Sequence, residues 1–217
     1  MISAHLATIP DREPLLKRVL NSITPYVDHT FVALSGYSFV PTWLSEFPTV
    51  TYRIFDNSRG DANKFAFINE VSGRVLITDD DLVWNPQAIN LLKQKVDQYN
   101  CPCSYHGREY VLPFRGFHQV VKRYRCLNTV VGDHLCQIIG TGTLMFDTSM
   151  IKLSMQDFPY PNMADVLFSR VCALQGIKLM VVEHKIGVIG YLHPQKTIYG
   201  DTKSYALHNT IIKDFLK

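Results

Sequence analysis

No apolar run in the 217-residue chain approaches the roughly 20 residues that a membrane-spanning helix requires. The amino terminus, Met1-Ile2-Ser3-Ala4-His5, lacks the basic start and long apolar stretch of a secretory signal. Together these absences make the cytoplasm the expected compartment, with no transmembrane segment. Cysteine is sparse and odd in number: Cys101, Cys103, Cys126, Cys136 and Cys172 leave one over from any full disulfide set and show no paired zinc spacing. Free thiols in a reducing compartment are expected. Charge is also scarce. Only 19% of residues are Asp, Glu, Lys or Arg, with a net +3, which excludes a disordered polyelectrolyte and argues against a dedicated nucleic-acid binder. What the chain does have is apolar material: 47% of its residues, enough for a continuous core. With no internal repeat, low-complexity tract or linker, one domain over residues 1–217 is predicted.

Strand and helix signals alternate through the first half. Ile2 to Ile9 reads as a buried strand closed by Pro10, with Asp11 placed to cap a helix. Leu15, Leu16, Val19, Leu20 and Ile23 then give a helical stripe ending before Pro25. Strands are predicted at Phe31–Leu34 and Val50–Phe55, a helix over Asp61–Val71 that closes at Gly73, and a doubly covered parallel strand at Val75–Thr78. Asn85 caps and Pro86 opens a helix with Ile89, Leu92 and Val96 inward. This alternation is the α/β pattern, in which ligands bind beyond the strands' carboxyl ends. In the second half a strand is predicted at Tyr110–Phe114, another around Leu144–Phe146, a helix from Asn162 to Gln175 stopped by Gly176, and a last strand at Ile177–Val182. His184, His193 and His208 lie in the tail beyond it.

Three consecutive carboxylates, Asp79-Asp80-Asp81, follow the apolar run Val75–Thr78. Like charges this close repel unless something positive compensates them. With strand-like alternation Asp79 and Asp81 point one way and Asp80 the other, so that some reach a divalent cation while another accepts hydrogen bonds from a sugar hydroxyl. Magnesium (Mg2+) or manganese (Mn2+), held by few carboxylates plus ligand phosphates, suits such a site. The competing reading is a surface turn that uses Asp as turn former. Gly60-Asp61-Ala62-Asn63-Lys64 opens the next candidate: Gly60 frees the backbone, and Lys64 can meet a phosphate or a carboxylate. Arg12, at the end of the first strand, is placed either to hold a nucleotide or to sit in solvent.

In their order, Ala7-Thr8-Ile9-Pro10-Asp11-Arg12, Gly60 to Lys64, Leu76-Ile77-Thr78-Asp79-Asp80-Asp81 and Asn162-Met163-Ala164-Asp165-Val166-Leu167-Phe168 resemble a nucleotide-sugar glycosyltransferase of the GT-A fold, near the inverting family-2-like enzymes. The resemblance spans nearly the whole chain. It implies a three-layer α/β/α sandwich with a mostly parallel central sheet. Residues 1–100 would form the nucleotide-sugar half, and residues 101–217 the acceptor-binding and catalytic half. It further implies that Thr8, Pro10 and Arg12 line the base and ribose site, that Asp61 receives a base or ribose hydrogen bond, and that Lys64 lies near the nucleotide. Within the Asp-X-Asp motif, Asp80 belongs to the nucleotide site, Asp79 lies near the ribose or shares the metal, and Asp81 is the principal metal ligand. Either His184 or His193 would supply a further ligand. Asp165 is implied as general base for the acceptor hydroxyl, although Ala164 stands where that family usually has Glu. Asn162 and Asp165 also have the spacing of a helix-capping pair, and that alternative stays open.

The implied donor is a nucleoside-diphosphate sugar, UDP-linked by preference. The acceptor is a glycan, a lipid-linked glycan or another hydroxyl compound, with modified DNA still among the classes. Trp84, His106, Arg108, Arg115, His118, Lys122, Arg123 and Arg125 are candidates for the acceptor side, and Gly140 and Gly142 for a close approach of sugar. The short chain favours monosaccharide transfer over polymer synthesis. A nucleotidyltransferase is the first rival, disfavoured because Thr8 to Pro14 contains no glycine. The second is a catalytically inert sugar- or nucleotide-binding protein, which the missing acid at Ala164 favours.

Overall fold

The computed structural model describes residues 1–194 and 205–216. Its first half runs β1 (Ile2–Thr8), α1 (Glu13–Ile23), β2 (His29–Ser35), β3 (Val50–Phe55), β4 (Arg74–Thr78), β5 (Leu82–Trp84) and α2 (Pro86–Tyr99). There follow β6 (Cys103–Ser104), β7 (Gly107–Tyr110), β8 (Val120–Tyr124), β9 (His134–Cys136), β10 (Ile138–Ile139) and β11 (Thr143–Asp147). The chain continues through α3 (Ala164–Leu174), β12 (Leu179–Val181), β13 (Ile189–Tyr191) and α4 (Ala206–Phe215). Eight strands form one sheet in the order β3-β2-β1-β4-β11-β6-β12-β9. β3, β2, β1 and β4 are parallel neighbours, and β11 runs antiparallel to both β4 and β6. Two small sheets, β10-β7-β8 and β13-β5, stand beside it.

The alternation of side chains along the central strands accounts for the three layers. Val75 and Ile77 of β4 with Leu144 and Phe146 of β11 join the cluster that holds α3 and α4. Leu76 and Met145 point the other way, toward Val19 and Ile23 of α1 and Ile89, Leu92 and Val96 of α2. A sheet covered on both faces needs apolar residues in continuous runs rather than alternation with polar ones, and Val75–Ile77 is such a run. The result is an α/β three-layer sandwich with a largely parallel, mixed sheet. Among the described residues, no helix is long and apolar enough to cross a membrane. All five cysteines are free thiols.

Several expectations need correction. Residues 61–71 are not an α-helix but two short 3-10 turns, Gly60–Phe65 and Ile68–Glu70. Ala62, Phe65 and Ile68, spaced three apart as in the tighter helix, join the cluster that holds α3, while Phe67 is buried against His5, Phe31 and Phe55. Asp11 does not cap α1: a 3-10 turn at Pro10–Arg12 comes first, and α1 starts without a side-chain cap. The strand expected at Tyr110–Phe114 is β7, three residues earlier, because Val111 and Leu112 turn out to solvent. The tail contains α4, anchored by buried Ile211 and Ile212. Asn85 does cap α2, accepting from the Gln87 amide at 3.0 Å.

Candidate functional site

The carboxyl ends of β1 and β4, the 3-10 turn Gly60–Phe65, the start of α3, β7 and the start of α4 converge on a cavity of about 530 Å3. The turn is pinned from below. Asn63 donates through Nδ2 to Ser35 Oγ at 2.9 Å and to the Asp56 carbonyl at 2.8 Å, beyond the ends of β2 and β3. Arg59 donates to the carbonyls of Met155 and Phe158 at 2.8 and 2.9 Å, tying the turn to the segment before α3. Gly60, at φ +54, lies against Asn162, where a Cβ would collide with the amide side chain.

Lys64 is carried inward by this turn to 3% exposure, and its Nζ lies 2.8 Å from Asp79 Oδ1. Burial opposes the ammonium, yet Asp79, Asp61 and Asp165 outweigh it and raise its pKa. Arg12 donates to Asp80 Oδ1 at 2.6 Å and to Asp81 Oδ2 at 3.3 Å. The predicted alternation of the acidic triplet fails because β4 ends at Thr78 and Asp80–Asp81 form a turn into β5. All three carboxylates therefore face the same cavity. Asp79 fits there because it packs on Gly142, which the register Thr143↔Thr78 brings alongside.

Among the described residues, five carboxylates, Asp61, Asp79, Asp80, Asp81 and Asp165, line the cavity against three fixed cations, Arg12, Lys64 and Arg108. The surplus shows in the acids. Burial, then Asp79 and Asp80, push the Asp81 carboxyl up to about 7 against the pull of Arg12. Burial likewise pushes Asp61 up to about 6, with Lys64 opposing; its Oδ1 is shielded from solvent and has no hydrogen-bond partner among the described residues. Asp165 goes the other way. Burial would raise it, but Lys64 and two hydrogen bonds from Thr141 hold it below the usual carboxylate range. The Thr141 amide and hydroxyl both donate to Oδ1 at 2.7 Å, and Oδ2 accepts no hydrogen bond from the described residues.

The capping reading of Asp165 is thereby corrected. Asn162 has φ +58 and accepts from the Asp61 amide at 3.3 Å, and the helix starts at Ala164, two residues later than expected, with Met163 before it. Thr8, Arg12, Asp61, Lys64, Asp79, Asp80, Asp81 and Asp165 all line the one cavity. Pro10 does not; it is exposed, and Ile9 takes its place in the wall. His184 is also elsewhere, buried against Tyr105 with its ring nitrogens 2.8 Å from the Val182 carbonyl and 3.3 Å from that of Arg125. His193 is exposed and packs edge-on against Tyr191, which does line the cavity. Of the residues expected on the acceptor side, Arg108 alone lines it. Trp84 is in the core, donating to Thr78 Oγ1 at 2.8 Å. Gly140 makes room for His106, and Gly142 for Asp79, so neither glycine is open to a sugar.

Sequence reasoning missed Ser35 and Asn57, which follow the same rule as the acidic triplet by lying at or beyond the ends of parallel strands. It also missed the wall built by Phe117, Tyr205 and His208. Among the described residues, no three His, Cys, Asp or Glu side chains cluster to hold a cation by themselves. Asp79 and Asp81 fit a hard cation in a different way, as two oxygen donors in a cavity with surplus negative charge that leaves the remaining positions to a ligand or water. No family model and no curated protein matches the chain.

Proposed function

We propose that the protein is a glycosyltransferase that moves a monosaccharide from a nucleoside-diphosphate sugar, UDP-linked by preference, to an acceptor hydroxyl. The observation that supports this most is the surplus of carboxylate in one cavity at the end of β4, where Asp81 is held up to about 7. Such a site is costly until a divalent cation or cationic ligand neutralises it. Asp79 and Asp81 would hold Mn2+ or Mg2+, and the bound ion would supply charge stabilisation for the departing diphosphate. Thr8, Ile9 and Asn57 shape the pocket for base and ribose, and Asp61 offers Oδ1, which accepts no hydrogen bond from the described residues, to a donor hydroxyl or amide.

Asp165 is the general base. Thr141 fixes Oδ1, which orients Oδ2 to take the acceptor proton as the acceptor oxygen attacks the anomeric carbon and the bond to the diphosphate breaks. A low proton affinity keeps Asp165 ionised at neutral pH, so it is ready to accept; the same property limits its strength as a base, which the proximity of the acceptor must offset. A binding protein without turnover is the second reading, favoured by Arg12 engaging Asp80 and Asp81.

The test is a panel of nucleoside-diphosphate sugars with Mn2+, following release of nucleoside diphosphate and the anomeric configuration of the product. Turnover that vanishes in Asp81→Asn and inverts configuration supports the reading. Tight nucleotide binding with no turnover on any donor favours the second, and the absence of both sinks the proposal.

A further inference from the structure

We propose that the acceptor carries an anionic oxygen group, a phosphate or a carboxylate, beside its reacting hydroxyl, and that Arg108 binds it. This rests on the transferase reading and adds a substrate class to it. Arg108 belongs to β7, is 7% exposed and still lines the cavity. The other two cavity cations are paired, Arg12 with Asp80 at 2.6 Å and Lys64 with Asp79 at 2.8 Å. Arg108 makes no ion pair with the described residues, although five carboxylates share its cavity. Its guanidinium lies 3.9 Å from the centroid of the Phe117 ring and donates one long hydrogen bond, 3.4 Å, to the Phe117 carbonyl. The Tyr110 hydroxyl lies beside it.

A guanidinium has five N–H donors in a planar fork. A ring face, a distant carbonyl and a hydroxyl leave most of that capacity unused, and a buried cation without an anion is costly. The fork matches the two oxygens of a carboxylate or phosphate.

The location selects the acceptor rather than the donor. Arg108 underlies Phe117, whose ring stacks on Tyr205 with centroids 4.8 Å apart and planes 19° apart, and His208 completes the wall 4.9 Å from Phe117. Asn209 of α4 accepts from the Phe117 amide at 2.8 Å, locking this wall in place. On the neighbouring strand β10, Ile138 pairs with Arg108, and Thr141, three residues further on, donates to Asp165, which puts the cation on the side of the general base. The diphosphate end has Arg12 and Lys64 of its own. A flat aromatic wall with one cation beneath it suits a sugar ring bearing one negative group.

The experiment titrates the protein, with Mn2+ and UDP present, against glucose, glucose 6-phosphate and glucuronate, following tryptophan fluorescence or heat. The two charged sugars also separate the two oxyanion sources. At low salt at least one should bind ten-fold or more tighter than glucose, and Arg108→Met should reduce that preference to within two-fold. Arg108→Lys, which keeps the charge and the fold but loses the fork, should reduce it several-fold, so a poorly folding methionine variant leaves the test intact. Equal affinity for all three sugars in the unmodified protein overturns the proposal. So does a ten-fold loss of UDP affinity in Arg108→Lys with the sugar preference kept, since Arg108 would then serve the donor. Failure of UDP and Mn2+ to bind at all counts against the transferase reading itself, and is read in the titration without sugar.

Discussion

Asp81 has a cost that its neighbours impose. Burial and two adjacent carboxylates hold its proton on to about pH 7, so its ionised form strains the folded state. Asp81→Asn removes that strain together with the oxygen that the proposed cation would need. The expected result at pH 8 is an unchanged or higher melting temperature with loss of Mn2+-dependent nucleotide binding, seen by paired thermal and calorimetric titrations. Asp165→Asn should retain nucleotide affinity within about two-fold and lower kcat by roughly 10²–10⁴, the range usual for general bases. A surviving kcat with a fallen melting temperature would mean that its bonds to Thr141 are its whole role. The spacing of Asn162 and Asp165 suggested a cap, and sequence alone could not decide between cap and site. What removes the cap is the left-handed backbone of Asn162, which lies against Gly60, far away in the sequence. Arg108 was one of eight candidates in a polar region, and nothing local to the sequence separates it from Arg115 or Lys122, which do not line the cavity.

At the scale of elements, the strands were the most legible. β3 matches its predicted span of residues 50–55, and β1 and β4 are each within one residue of theirs, because β-branched and apolar runs bounded by turn residues have few other uses. The turn after Gly60 was misread as α-helical, since buried residues three apart fit both helical periods over so short a stretch. That turn carries Lys64, and Asn63 fastens it to β2 and to the loop after β3. Asn63→Ala leaves the Asp56 carbonyl and Ser35 hydroxyl without their donor, which should cost about 1–3 kcal/mol in denaturant unfolding. It should also weaken nucleotide binding more than the removal of Asn63 alone explains, because Lys64 and Asp61 move with the turn. A variant with the stability loss and intact nucleotide affinity would show that the cavity does not depend on this fastening.

For the whole molecule, the acid surplus sets a pH dependence. Asp61 and Asp81 have folded pKa values of about 6 and about 7, above the 3.8 of a free Asp. Their contribution to stability is therefore complete below about pH 4 and is lost as pH rises through 6 and 7. Unfolding free energy should fall between pH 5 and pH 8, and an Asp61→Asn/Asp81→Asn double variant should flatten that slope in urea titrations. Mn2+ with UDP should restore stability at the upper end, as any ligand of the folded state alone does, and more at pH 8 than at pH 5. A flat profile in the unmodified protein would mean that the two acids exchange their protons at ordinary values. The α/β class was readable from the alternation of strand and helix signals, whereas the three layers were implied by the family resemblance. The aromatic wall was not readable, because α4 and the loop before β8 are far apart in sequence and meet only in the folded chain, through the Asn209–Phe117 hydrogen bond and the packing of Phe117 on Tyr205 and His208.

The contact between Gly142 and Asp79 has an evolutionary corollary. A methyl group at position 142 would need the space that the Asp79 carboxylate fills, so the aspartate must move off its contact with Lys64 to admit it. Relatives of this chain should therefore change the two positions as a linked pair, tolerating a larger residue at 142 only alongside a smaller or displaced one at 79.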